Sequence, residues 1–229
     1  MNILVVAAHP DDEVLGCGGT IAKHIQASDR VHVVILAEGV TARSDVRDRH
    51  KQAHELSELA QAAHRAHKIL GTTSLELFDF PDNRLDSVDL LEVIKKIETA
   101  IAQYKIDVVY THHAGDVNID HRRVHEAVIA SCRPQPHCTV KRVLFFEVAS
   151  STEWQPPQSA SYFMPQWFVN ISGTLSYKLQ ALEAYAAEMR AFPHPRSLKA
   201  LEYLARWRGA SVGIDAAEAF VLGREIVGK

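Results

Sequence analysis

The residues best suited to chemistry fall in two clusters. Near the start, an apolar run ends in Ala8-His9-Pro10-Asp11-Asp12-Glu13 and continues as Val14-Leu15-Gly16-Cys17-Gly18-Gly19. Far downstream, a second run leads into Thr111-His112-His113-Ala114-Gly115-Asp116-Val117-Asn118-Ile119-Asp120-His121-Arg122-Arg123. If both runs are strands of one sheet, the two clusters sit at its carboxyl edge and can converge. Together they offer His and Asp from the first and His from the second. That donor set binds a catalytic zinc while leaving a position for water. Such an ion lowers the pKa of water to about 7 and polarises a carbonyl oxygen. Glycines after a first strand also suggest a dinucleotide loop, but Ile21 stands where the third glycine belongs. The acidic cluster would moreover repel a pyrophosphate.

The elements that must position these clusters alternate along the chain. Residues 2–8 and 31–37 are continuous apolar runs of strand length, and shorter candidates follow at 74–80, 107–111 and 142–148. Continuous rather than alternating runs imply burial on both faces, as in a parallel sheet covered by helices. Between them, Leu56, Leu59, Ala63, Ala66 and Leu70 line one helix face. Leu90, Ile94, Ile97 and Ile101 line another, with Asp86 or Ser87 placed to cap its start. A helix over 124–132 follows the second cluster; Leu175, Leu179, Leu182, Ala186 and Met189 mark a further helix, and 197–208 the last. The pattern predicts an α/β fold: a Rossmann-like, three-layer open sheet, mostly parallel, with helices on both faces. Ligands bind such sheets beyond the carboxyl ends of the strands, where both clusters fall. Pro10 fixes the first turn, and Gly16, Gly18 and Gly19 let the helix after it pack closely on the sheet. Residues 150–165, rich in Ser, Pro and Gln, read as a long loop.

The 229 residues suit one domain, with a core over roughly 1–150 and a remainder, 151–229, that completes the site with a loop, helices and a closing strand. A net charge of −3 without a basic stripe argues against a nucleic-acid partner. No apolar run approaches the roughly 20 residues needed to span a bilayer. Cys17, Cys132 and Cys138 form no paired framework, and the first residues lack the pattern of a signal peptide, so a cytoplasmic location with reduced thiols is expected. A homo-oligomer remains open.

His9-Pro10-Asp11-Asp12-Glu13 after a first strand, with Asn118-Ile119-Asp120-His121 after the fourth, resembles the PIG-L/LmbE-like zinc-dependent N-acetylglucosaminyl deacetylases. The order of elements agrees over roughly 1–150. The resemblance implies hydrolysis of an acetamide on an N-acetylated amino sugar, a small-molecule substrate. A nucleotide-linked or otherwise activated N-acetylhexosamine of a surface-glycan pathway is the preferred form. It makes His9, Asp12 and His121 the ligands of Zn2+, or of another divalent metal such as Fe2+. It makes Asp11 the base that takes a proton from the attacking water and later passes one to the departing amine. Asp120 would orient a neighbouring imidazole or the metal site, and Glu13 would be structural.

One departure matters. Many family members carry a histidine where this chain has Asn118, and an amide can donate a hydrogen bond to an oxyanion but cannot shuttle a proton. Asp11 is therefore expected to carry both proton transfers, helped by His112 or His113. Two other functions fit parts of the pattern. Two histidines and a carboxylate also bind iron(II) in oxygenases, though those need no base such as Asp11. A non-catalytic sugar- or nucleotide-binding module on the same fold would have no use for a base beside an open metal position.

Lesser signals lie on the loops. Arg43 after the second strand, and Asn83 and Arg84 after the third, stand at the carboxyl edge and are expected to read the sugar or its phosphate. His194, between two prolines, reads as a surface-loop residue. His50, His54, His64 and His67 read as the solvated face of the second helix, and Arg206-Trp207-Arg208 either as a source of aromatic or cationic contacts or as a helix end over the core.

Overall fold

A computed structural model describes residues 1–156 and 161–228. Residues 157–160 of the loop expected over 150–165 lie outside the described residues. The strands are β1 (Asn2–Ala7), β2 (Arg30–Ala37), β3 (Ser74–Phe80), β4 (Val108–His112), β5 (Arg142–Phe146), β6 (Trp167–Asn170) and β7 (Ala217–Glu225). The helices are α1 (Asp12–Gln26), α2 (Ala53–Leu70), α3 (Leu90–Tyr104), α4 (Ile119–Ser131), α5 (Leu175–Ala184) and α6 (Leu198–Ala210).

Among the described residues the strands form one sheet in the order β3-β2-β1-β4-β5-β7-β6. The first five run parallel; β7 is antiparallel to both β5 and β6. Because the chain first builds outward through β2 and β3 and then restarts on the far side of β1, the strand order reverses between β1 and β4. A crevice opens at such a reversal, beyond the strands' carboxyl ends. His9 leaves β1 there, and the residues after His112 leave β4 there. The topology alone therefore brings the two clusters together.

Alternation along β1 separates two cores. Ile3, Val5 and Ala7 pack with residues of α1, α2, α5 and α6, whereas Leu4, Val6 and Ala8 pack with α3 and α4. Both faces of the central strands are buried, which is why those strands read as continuous apolar runs.

Helix ends differ from the sequence expectation where a polar side chain supplies a cap that periodicity does not register. Asp89, not Asp86 or Ser87, caps α3 through the Leu91 amide, at 2.9 Å. Asn118 caps α4 by accepting from the Asp120 amide, so this helix begins before residue 124 and carries Asp120 and His121 in its first turn. α5 stops at Ala184, short of Ala186 and Met189, and the following Tyr185 is buried, donating its hydroxyl to Glu13 at 2.8 Å. His67 is buried rather than solvated, with Nε2 3.2 Å from Glu13 Oε1.

α1 contains a kink at Cys17, which has non-helical dihedrals of −147° and 25°. The amides of Gly19 and Thr20 are taken up by the buried carboxylate of Glu218 on β7, which also pairs with Lys178. The closing strand thus repairs the helix that carries Asp12. Gly16 lies against β5 so closely that a Cβ there would stand 2.3 Å from the ring of Phe146. Gly16→Ala is accordingly expected to destabilise the fold by roughly 1–3 kcal/mol through overpacking. Chemical denaturation measures it, and an unchanged midpoint would show that the ring yields freely.

Candidate functional site

The crevice at the β1–β4 reversal encloses about 290 Å3 and is lined by residues including His9, Asp11, Asp12, Asp82, Asn118 and His121. Asp12, the first residue of α1, sits at its centre. Its Oδ2 accepts from the His9 amide at 2.9 Å and lies 3.1 Å from both His9 Nδ1 and His121 Nε2. Donor atoms of His9, Asp12 and His121 all fall within 4.8 Å of one another. Four ligands at about 2.0–2.1 Å around a tetrahedral zinc stand about 3.3 Å apart, close to these separations.

The outer faces of both imidazoles are held by carboxylates. His9 Nε2 is 3.0 Å from Asp120 Oδ2 and 3.3 Å from Asp82 Oδ1. His121 Nδ1 is 3.1 Å from Asp116 Oδ2. Asp120 is fixed in turn by the amides of Asn83 and Leu85, at 2.7 and 2.9 Å. Asp116 accepts from the hydroxyls of Ser151 and Thr152. This carboxylate–histidine arrangement orients metal-ligating imidazoles and raises their basicity.

The electrostatics of this cluster call for a cation. Burial works to lower the His9 pKa, but Asp12, Asp120 and Asp82 outweigh it and hold the ring well above its ordinary value. Burial likewise opposes protonation of His121, yet Asp12 and Asp116 raise it to about 9. Burial favours the neutral acid at Asp12, but His121 and His9 pull it well below the carboxylate range. Asp116, also opposed by burial, is lowered to about 2 chiefly by His121. The carboxylates raise both imidazoles and the imidazoles lower the carboxylates, and a divalent ion would balance the same carboxylate charge with the rings neutral. The donor set therefore fits a metal by chemistry as well as by spacing.

Asp11 is 2 % exposed and adopts φ 114°, a left-handed region rare for a non-glycine residue. Its amide donates to Glu13 Oε2, and its Oδ2 accepts from Arg196 Nη1 at 3.1 Å. Burial pushes its carboxyl well up; Arg196 opposes the rise, while Asp12 and Glu13 add to it.

Other expected residues have mixed placements. Arg43 lines the crevice but is engaged by Glu188, at 2.6 and 2.7 Å. Asn83 lines it too, its side chain bridging Asp82 and Asn118. Asn118 reaches the crevice while capping α4. Arg84 and His113 do not line the crevice: Arg84 donates to the Asp45 carbonyl, and His113 Nε2 lies 3.0 Å from the Ser161 carbonyl. His113, expected to help proton transfer, contacts the loop after β5. His112 lies beneath the ligands, stacked on His121 with centroids 4.0 Å apart, and its Nε2 accepts from the Ala8 amide.

Sequence reasoning missed Asp82, Asp116, Glu188 and Arg196. Asp82 stands one residue before Asn83 in the loop already singled out, and Asp116 lies inside the second cluster. Arg196 ends the Phe192-Pro193-His194-Pro195 segment, in which His194 attracted attention instead; His194 Nδ1 accepts from the Arg196 amide.

The chain is similar to known proteins over most of its length. Residues 4–132 match the PIG-L family, described as GlcNAc-PI de-N-acetylase. The chain is 31% identical over 190 residues to YaiS of Escherichia coli K12, described as an uncharacterized deacetylase, covering 80% of this chain and 90% of that protein. It is 25% identical to the diacetylchitobiose deacetylase of Thermococcus kodakarensis, covering 82% of this chain and 70% of that one. Among solved structures, the conserved protein TT1542 from Thermus thermophilus superposes with a TM-score of 0.76 at 25% identity, covering 99% and 96% of the two chains. The chain belongs to the PIG-L family and is an N-deacetylase, a hydrolase of amide bonds.

The carboxylates behind the imidazoles generate a specific expectation. Asp116→Asn should weaken metal binding about 10–100-fold, because His121 loses the anion that fixes its orientation. Competition with a chelator measures the change, and unaltered affinity would remove Asp116 from the metal centre.

Proposed function

We propose that this N-deacetylase is zinc-dependent and removes the acetyl group from an N-acetylated amino sugar, with Asp11 as the general base. The observation that carries the proposal is Asp11 itself: a buried carboxylate adjacent in sequence to a three-donor metal cluster and lining the same crevice. His9, Asp12 and His121 would hold the ion. When bound, zinc supplies Lewis acidity, polarising the amide carbonyl and acidifying a water.

The protein's own groups account for the proton. Asp11 accepts a proton as water attacks the acetyl carbonyl carbon, forming the new C–O bond. It returns that proton to the amide nitrogen as the C–N bond breaks, giving acetate and a free amine. Asn118 donates one amide hydrogen to Asn83 and has a second available for the tetrahedral oxyanion. Without a histidine at position 118, Asp11 carries both transfers.

Substrate recognition rests on the crevice's lining and on the relatives' names. At about 290 Å3 it stands at the small end of ligand pockets, roughly 300–1,000 Å3, and charged and amide side chains dominate its walls. That suits one polar N-acetylated sugar ring, such as the reacting ring of the disaccharide named for the Thermococcus relative. A nucleotide-linked or otherwise activated N-acetylhexosamine is the preferred form, met in the cytoplasm.

Acetate release across free, nucleotide-linked and lipid-linked N-acetyl sugars tests the proposal. Turnover should stop on chelation, return with zinc, and fall about 10²–10⁴-fold in Asp11→Asn. Turnover indifferent to chelation would refute the metal, and an active Asp11→Asn enzyme would refute the base. Oxygen consumption by the iron-loaded protein would instead favour an oxygenase.

A further inference from the structure

The cleft contains an arginine, Arg196, that lies outside the three-donor cluster and holds a carboxylate by one oxygen only. Arg196 reaches Asp11 from 185 residues away along the chain. Its backbone is tied on both sides: its amide donates to His194 Nδ1, and its carbonyl accepts from the Arg190 amide at 2.9 Å. The next residue, Ser197, caps α6. The side chain therefore projects from a closed turn braced by a helix start, and it is 22 % exposed.

Its contact with Asp11 is not the two-oxygen grip that two other arginines make. Arg208 grips Glu147 with Nε and Nη2, at 2.8 and 2.7 Å, and Arg47 grips both oxygens of Glu38, at 2.7 and 3.1 Å. Arg196 gives Asp11 one contact, Nη1 to Oδ2 at 3.1 Å, and spends Nε on Ser150 Oγ, also at 3.1 Å. Among the described residues, Asp11 Oδ1 accepts no hydrogen bond. Ser150 has a left-handed φ of 67°, so both partners of the guanidinium sit on constrained backbone. Glu13, held by Tyr185 and His67, fixes the Asp11 amide from the other side.

We propose that Arg196 is the positioning residue for Asp11: anchored on Ser150, it holds Oδ2 and leaves Oδ1 for proton transfer in the cleft. This rests on the reading of Asp11 as the base. The arginine contributes orientation, which a carboxylate with free side-chain rotation lacks, and a misplacement of about 1 Å can cost on the order of 10²-fold in rate. Ser150 is a positioning residue at one further remove.

The test compares zinc-loaded wild type, Arg196→Ala, Arg196→Lys, Ser150→Ala and Asp11→Asn. Acetate release is followed from N-acetylglucosamine, or from whichever sugar of the panel reacts fastest. Arg196→Ala should lose about 10–100-fold in kcat, with KM changing far less. Guanidinium ion added to that variant should restore part of the loss, Arg196→Lys should fall between the two, and Ser150→Ala should show a smaller kcat defect of the same kind. Zinc content and circular dichroism accompany each variant. If Arg196→Ala does not fold, the Lys and Ser150 variants carry the comparison. A wild-type kcat in the Arg196 variants, or a raised KM at unchanged kcat, overturns the proposal; the latter outcome makes Arg196 a substrate anchor. A kcat loss that guanidinium does not relieve, accompanied by lowered thermal stability, also overturns it in favour of a structural support. Failure of the underlying reading shows separately, as turnover surviving in Asp11→Asn.

Discussion

Asp12 Oδ2 lies between two imidazole nitrogens at the floor of the crevice, 3.1 Å from each, with almost no access to solvent. Burying a charge in this way is costly unless it is paired. Much of the surrounding structure can be understood as supplying that pairing. Asp120 and Asp82 hold the outer nitrogen of His9, Asp116 holds that of His121, and each of these acids is itself tied to backbone amides or hydroxyls. The candidate donors are presented by the end of β1, the start of α1 and the first turn of α4, all anchored in packed layers. A cation fits this cluster because everything around it is arranged for positive charge in one place.

The proposed general base obeys a different constraint. Asp11 is adjacent in sequence to Asp12, yet its backbone turns through a left-handed conformation, and its carboxylate is met by Arg196 rather than by the histidines. One turn thus delivers two neighbouring carboxylates to two different tasks. The C-terminal third takes part in both. Glu218 on β7 repairs the kinked helix behind Asp12, Tyr185 holds Glu13 behind Asp11, and Arg196 enters the crevice itself.

How much of this was legible in the sequence follows from what kind of contact each feature depends on. The continuous apolar strands declared a sheet covered on both faces, and local spacing within His9–Glu13 and Asn118–His121 declared the donor cluster. Both are short-range patterns. The α3 cap at Asp89 and the early start of α4 at Asn118 were displaced because one side-chain hydrogen bond decides a helix end, and periodicity does not register it. His67 looked solvent-facing because its partner, Glu13, is 54 residues away. Arg196 was hidden for the same reason, 185 residues from Asp11. His113 lies apart from the crevice because adjacent residues leaving a strand point to opposite sides. His112 turns under the ligands while His113 meets the loop after β5.

X-ray absorption on the zinc-loaded protein tests the central claim most directly. The expected result is one zinc per chain with two imidazoles and oxygen donors at about 2.0–2.1 Å, and loss of one imidazole in His121→Ala. A sulfur ligand, or a wild-type spectrum unchanged by His121→Ala, would place the metal elsewhere and contradict it.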